Sequence, residues 1–151
     1  PWGRPDMALF LFTDAILNNR EINVFNNGNM IRDFTYIDDI VEGVFKVIFK
    51  PPSPNNLFDK SNPNPSSSWA PYKIFNIGNS SPITLMDYIT TIEEVLDKKA
   101  NKNFLPMQPG DVKATSADMN YLENWIDFKP ATSIKDGVHK FIDWYKDYYK
   151  I

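Results

Sequence analysis

The chain has 151 residues with 42% hydrophobic and 15% aromatic content, which suffices for one buried core in a globular, single-domain protein. Sixteen Lys and Arg against nineteen Asp and Glu give a net charge of -3 without charge runs, which argues against a nucleic-acid partner. Without cysteine, disulfides, thiolate metal sites and a cysteine nucleophile are excluded, and the one histidine, His139, cannot form a histidine metal cluster.

The apolar runs, among them Met7 to Phe12 and Val44 to Phe49, fall far short of the roughly 20 residues of a membrane span. No signal-peptide pattern opens the chain, so the expected location is cytoplasmic. Pro1-Trp2-Gly3-Arg4-Pro5 reads as the middle of a loop, and a truncated chain is expected; removal of an initiator Met is the other reading.

Pro5 and Asp6 suit a first helical turn, Leu9, Phe12 and Ile16 recur at helical spacing, and Asn18-Asn19 stops the pattern. Next come a β-prone run at Ile22, Val24 and Phe25, turn residues Asn26-Asn27-Gly28-Asn29 and an extended stretch over 31–37, together resembling two strands about a turn. Asp38 can cap a following amphipathic helix whose Val41, Val44, Phe45 and Ile48 form one stripe before Pro51-Pro52 ends it. Residues 51–72 hold six of the twelve prolines among Asn and Ser and read as a long irregular loop.

Lys73 to Ile77 predicts a compact strand ended by Gly78. Thr84 with Asp87 makes a capping-box-like start for a helix that buries Leu85, Ile89, Ile92 and Leu96. A short strand is expected at Phe104 to Met107, a turn at Pro109-Gly110, and a short helix capped by Asp118 and running through Leu122. Ser133 caps the final helix, whose inward face carries Ile134, Val138, Phe141, Ile142 and Tyr145. The pattern is mixed α/β, short strands and amphipathic helices, without internal repeats.

A Rossmann dinucleotide site needs closely spaced glycines, and the six here lie far apart. No Tyr is followed by Lys four residues later, so the usual reductase acid–base pair is absent and no catalytic residue is assigned. His139 beside Lys140 reads as solvated. Arg32 stands out in Gly28-Asn29-Met30-Ile31-Arg32-Asp33-Phe34-Thr35-Tyr36-Ile37-Asp38-Asp39-Ile40; taken alone it suits an ion pair with Asp33 as well as a ligand contact.

Pro-Trp-Gly-Arg-Pro-Asp-Met at 1–7, Val24-Phe25-Asn26, Arg32 to Asp39, Phe75-Asn76-Ile77-Gly78-Asn79 and Gln108-Pro109-Gly110-Asp111-Val112 occur in an order and spacing that resemble the extended short-chain dehydrogenase/reductase family. Within it the chain is most similar to the UDP-glucuronate 4-epimerases, over essentially its whole length. The resemblance implies a C-terminal, nucleotide-sugar-binding portion that lacks the N-terminal Rossmann core. NAD would be held by that missing half, which would also carry the Tyr-x-x-x-Lys residues, and no cofactor is expected on this chain alone. It also implies a UDP-sugar ligand, the Rossmann domain as partner, a strand at 73–77 joining its sheet, and commonly a homodimer.

Carried over, Asn23 and Phe25 match a strand whose backbone pairs with uracil, and Arg32 matches an arginine on the diphosphate. Asp111 matches an acidic residue near the ribose hydroxyls, and Arg4 lies beside the sugar cleft. Gln108 stands where related UDP-galactose epimerases carry a second phosphate-binding Arg, retaining a hydrogen-bond donor without the charge. Ile31 departs from the Arg-Arg pair of many close relatives. Core packing for Phe25, a structural role for Arg4 and turn fixing for Asp111 are the competing readings. Other UDP-sugar epimerases or nucleotide-sugar dehydratases share the expected architecture, and a non-catalytic remnant or interaction module is the alternative from another class.

Overall fold

The computed structural model describes residues 4–151; the Pro1, Trp2 and Gly3 part of the opening motif lies outside the described residues. In chain order the elements are α1 (Ala8–Leu17), β1 (Glu21–Val24), a 3-10 turn (Phe25–Gly28), β2 (Ile31–Arg32), α2 (Ile37–Ile48), β3 (Ile83–Thr84), α3 (Leu85–Leu96), β4 (Asn101–Phe104), α4 (Asn120–Ile126) and α5 (Ile134–Tyr149). They divide into two compact units, one of Pro1–Phe34, Ser81–Thr115 and Thr132–Ile151, the other of Thr35–Ser80 and Ser116–Ala131.

The first unit is organised by α1, α3 and α5 around the β1–β4 pair. Phe12, Ala15 and Ile16 of α1, Ile22 and Val24 of β1, Tyr88, Ile89 and Ile92 of α3, and Val138 and Ile142 of α5 form its buried core. Burial of such side chains supplies about 1.5–3 kcal/mol each before chain entropy is charged against it. The helices start where their caps allow. Thr84 accepts from the Asp87 amide at 3.0 Å and pairs with its carboxylate at 2.7 Å, and Ser133 accepts from the Asp136 amide at 3.1 Å. Both satisfy a donor that the first helical turn leaves free.

Glu93 is the charged member of this interior, only 4% exposed. Its oxygens accept from the Ala100 amide at 2.9 Å, from Lys99 at 3.0 Å and from Lys102, which closes the turn between α3 and β4. Burial pushes its pKa up, but the hydrogen bonds from Lys102, Ala100 and Lys99 outweigh it and hold the carboxyl at about 2.

Strand pairing departs from the local expectation. The turn at 25–28 does not fold β1 back on β2: β1 pairs in parallel with β4, Glu21 to Asn101 through Val24 to Phe104, and β2 pairs antiparallel with β3. Asn26, Asn27 and Gly28 all take positive φ, 51°, 49° and 82°, so the chain turns immediately after Val24. Phe25 therefore opens the 3-10 turn instead of extending the strand. The strand expected at Phe104 to Met107 lies earlier, at Asn101–Phe104, because register with β1 decides it.

In the second unit a Cβ on Gly43 of α2 would stand 3.3 Å from the ring of Phe128, just past α4, and 3.5 Å from Ile77. The N-cap of α2 is Tyr36, and Asp38 lies inside the first turn, where it faces the positive end of the helix dipole. Asp38 is thus not the cap. Asp118 is not the cap of α4 either: Met119 holds that position, while Asp118 one residue earlier accepts from the Asn120 amide at 3.0 Å, and α4 runs beyond Leu122 to Ile126. Trp125 of α4 donates to the Lys50 carbonyl at 2.9 Å, tying α4 to the end of α2. Residues 51–72 carry no helix and only one bridge, Ser67 to Lys73.

Residues 73–77 do not form the expected strand, since 74–77 have no ladder partner among the described residues. The apolar stripe of α2 is a second surprise. Ile37, Val41, Val44, Phe45 and Ile48 are between 48% and 65% exposed.

Candidate functional site

Five of the six residues singled out from sequence lie on two segments of the first unit, 23–32 and 105–115, and backbone hydrogen bonds lace these together. Leu105 donates to Val24 at 3.0 Å, Asn27 donates to Leu105 at 3.0 Å, Ile31 donates to Lys113 at 2.9 Å, and Thr115 donates to Ile31 at 3.2 Å. Ile31 thereby bridges Ala114 in parallel while β2 pairs with β3 on its other side. The chain crosses from one tether to the next through Gln108-Pro109-Gly110-Asp111, where Asp111 donates to the Gln108 carbonyl at 3.2 Å. Gly110 has φ +82°, the value a type II turn with Pro at its second position requires.

Arg32 is the centre of this arrangement. Its Nη1 donates to the carbonyls of Ile31 at 2.9 Å and Lys113 at 3.3 Å, and its Nη2 to Asp111 Oδ1 at 2.8 Å. The two charged side chains are 23% and 32% exposed, a partly desolvated pair 79 residues apart in sequence. The Asp33 pairing is not made; Asp33 instead accepts from the Ser81 amide at 3.3 Å and donates its own amide to Thr115 Oγ1 at 3.3 Å. Asp111 Oδ1 also accepts from the Val112 amide at 2.8 Å. Guanidinium has five N–H groups. Three are engaged among the described residues, which leaves two on Arg32 to donate to a ligand.

Gln108 is exposed at the turn. Asn23 is exposed on β1 opposite Asn103, whose amide donates to it at 3.2 Å, and Phe25 is half-buried at the corner after the strand. Arg4 is the residue that stands apart. It donates to Asp6 at 2.7 Å, both side chains are well exposed, and the hydrogen bond raises the Arg4 pKa and lowers that of Asp6. The other holders of Arg32, the carbonyls of Ile31 and Lys113, escaped sequence reasoning because a backbone acceptor leaves no side-chain signal. His139 is exposed, 3.8 Å from Asp143 one turn on.

An oriented guanidinium with spare donors, a neighbouring amide and a carboxylate with one oxygen already committed suit an anionic, hydroxyl-bearing ligand. No Tyr in the chain is followed by Lys four residues later. The chain belongs to the NAD dependent epimerase/dehydratase family, whose model matches residues 1–78. Its mixed α/β fold is that of a part of an extended short-chain dehydrogenase/reductase.

Among its relatives, Protein CapI of Staphylococcus aureus is 57% identical over 150 residues, covering 99% of this chain and 45% of CapI. A probable UDP-glucuronate 4-epimerase of Rhizobium meliloti (strain 1021) is 44% identical, covering 99% of this chain and 44% of the relative. UDP-glucuronic acid 4-epimerase from Bacillus cereus, solved in complex with UDP-glucuronic acid and NAD, superposes with a TM-score of 0.78 at 30% identity, covering 99% of this chain and 42% of that one. The chain therefore spans less than half the length of the relatives it matches.

Proposed function

We propose that this chain is the UDP-sugar-holding portion of an NAD-dependent nucleotide-sugar 4-epimerase that interconverts UDP-glucuronate and UDP-galacturonate in the cytoplasm. The observation that carries the reading is Arg32, fixed by three internal hydrogen bonds with two N–H donors left over. Those two donors grip the diphosphate. Gln108 adds an uncharged donor beside it, the backbone around Asn23 and Phe25 meets the uracil edge, and Asp111 faces the ribose hydroxyls. Arg4 sits toward the sugar and its cation favours an anionic substrate.

NAD supplies hydride chemistry at C4 of the sugar in such an epimerase. The residues of this chain do not fit it: the glycines are isolated, and Gly28 and Gly110, the two with positive φ among the described residues, belong to separate turns. Binding of NAD and the acid–base pair fall to a dinucleotide-binding half of the length by which the relatives exceed this chain. The exposed stripe on α2 supports that division, because an amphipathic helix whose apolar face is bare in one part of a protein is covered by another.

Calorimetric titration of this chain with UDP, UDP-glucuronate and NAD in parallel tests the reading. Binding of the uridine ligands with no response to NAD is expected. NAD binding, or affinity for neither uridine ligand, would overturn it.

A further inference from the structure

We infer that Asp111, beyond the ribose contact given to it above, is a positioning residue that sets Arg32 for the diphosphate. This rests on the nucleotide-sugar reading and extends it to a contact between two of the site residues. The Oδ1 atom of Asp111 takes the Val112 amide at 2.8 Å and the Arg32 Nη2 at 2.8 Å, so one oxygen fixes both the end of the Gln108–Asp111 turn and the head of the arginine. The carbonyls of Ile31 and Lys113 hold Nη1, but both lie on the same side of the contact network, the β2 bridge to 113–115. Among the described residues Asp111 supplies the one charged restraint on Arg32.

A guanidinium so held keeps its remaining N–H groups in a fixed plane, and the diphosphate meets donors already aligned. Displacement of Asp111 is not required, because two donors remain after its bond is counted. The carboxylate also neutralises Arg32 while the site is empty, so the partly buried cation is not left unpaired. Loss of Asp111 leaves the guanidinium held through Nη1 alone, so its remaining N–H groups are no longer fixed in one plane.

The test separates this duty from the ribose contact by using a ligand without ribose hydroxyls. Binding of UDP and of 2′,3′-dideoxy-UDP to the full chain is measured by calorimetry for wild type, Asp111→Ala, Asp111→Asn, Arg32→Ala and the double alanine variant. Asp111→Ala is expected to weaken the dideoxy ligand about tenfold, within the coupling range of residues sharing one network. In the Arg32→Ala background the same change is expected to cost that ligand nothing. Asp111→Asn, which keeps an acceptor for both Val112 and Arg32, is expected to restore affinity to within about threefold.

A loss seen with UDP and absent with the dideoxy ligand would overturn the positioning role and leave the ribose contact standing. A loss that persists undiminished without Arg32 would overturn it as well. Failure of the wild-type chain to bind UDP at all would instead remove the nucleotide-sugar reading on which the inference rests.

Discussion

Arg32→Ala separates a binding role from a merely structural one. Each hydrogen bond from a charged donor contributes about 1.5–3 kcal/mol, so loss of the diphosphate grip is expected to weaken UDP by at least that much, roughly 10- to 150-fold. The cost to folding is smaller. The ion pair with Asp111 is 2.8 Å long but 23% and 32% exposed, which places it near the upper end of the 0–1 kcal/mol typical of solvent-accessible pairs, at about 1 kcal/mol. Asp111 keeps its bond from the Val112 amide after the substitution, so no carboxylate is stranded. Paired measurements decide the matter, calorimetry for UDP affinity and urea denaturation for stability. Arg32→Lys is expected to fall between, keeping the charge but losing the planar fork. Unchanged affinity, or a loss of stability equal to the loss of affinity, would refute the reasoning and leave Arg32 a structural ion pair.

Glu93 makes stability depend on acid. Its folded pKa, about 2, lies below the ordinary 4.5, so its contribution of about 3 kcal/mol is complete above pH 4.5 and drains away as pH falls toward 2. Urea denaturation of wild type against Glu93→Gln is expected to show a wide gap at pH 7 that closes near pH 2; a gap independent of pH would contradict the linkage. Phe45→Ser, at an exposed position of the α2 stripe, is expected to leave the chain's stability within about 0.5 kcal/mol while weakening its association with a separately expressed dinucleotide-binding half, measured by sedimentation. Equal binding by both forms would remove the stripe from that contact. Gly28→Ala must place a Cβ at φ +82° and 2.8 Å from Met86 Sδ, and is expected to cost about 1–3 kcal/mol in a thermal or urea melt. A melt matching wild type would show that the turn reorganises freely.

Much of the secondary structure was legible because its causes are local. Thr84 with Asp87 and Ser133 with Asp136 cap α3 and α5 as their spacing requires, and the apolar periodicities of α1, α2, α3 and α5 mark helices that exist. The Asn-Asn-Gly turn after β1 was equally visible, since Asn and Gly tolerate positive φ. Family membership was legible too, because motif order survives in a single chain. Arg32 and Asp111 could each be named from resemblance, but not their contact.

What the sequence determined by itself are the features set within a few residues: caps, helix faces, turn positions and the absence of a glycine fingerprint or a Tyr-x-x-x-Lys pair. What only the tertiary structure decided are pairings between distant segments. β1 meets β4 and not β2, Phe25 turns a corner, residues 74–77 have no ladder partner among the described residues, and the α2 stripe is bare. The physical reason is that a hydrogen-bond ladder or a buried face needs a partner, and hydrophobic period states only that one face is apolar. Arg32 shows the same division: its charge is written in the chain, whereas its orientation comes from a carboxylate and a carbonyl 79 and 81 residues away that folding alone brings within reach.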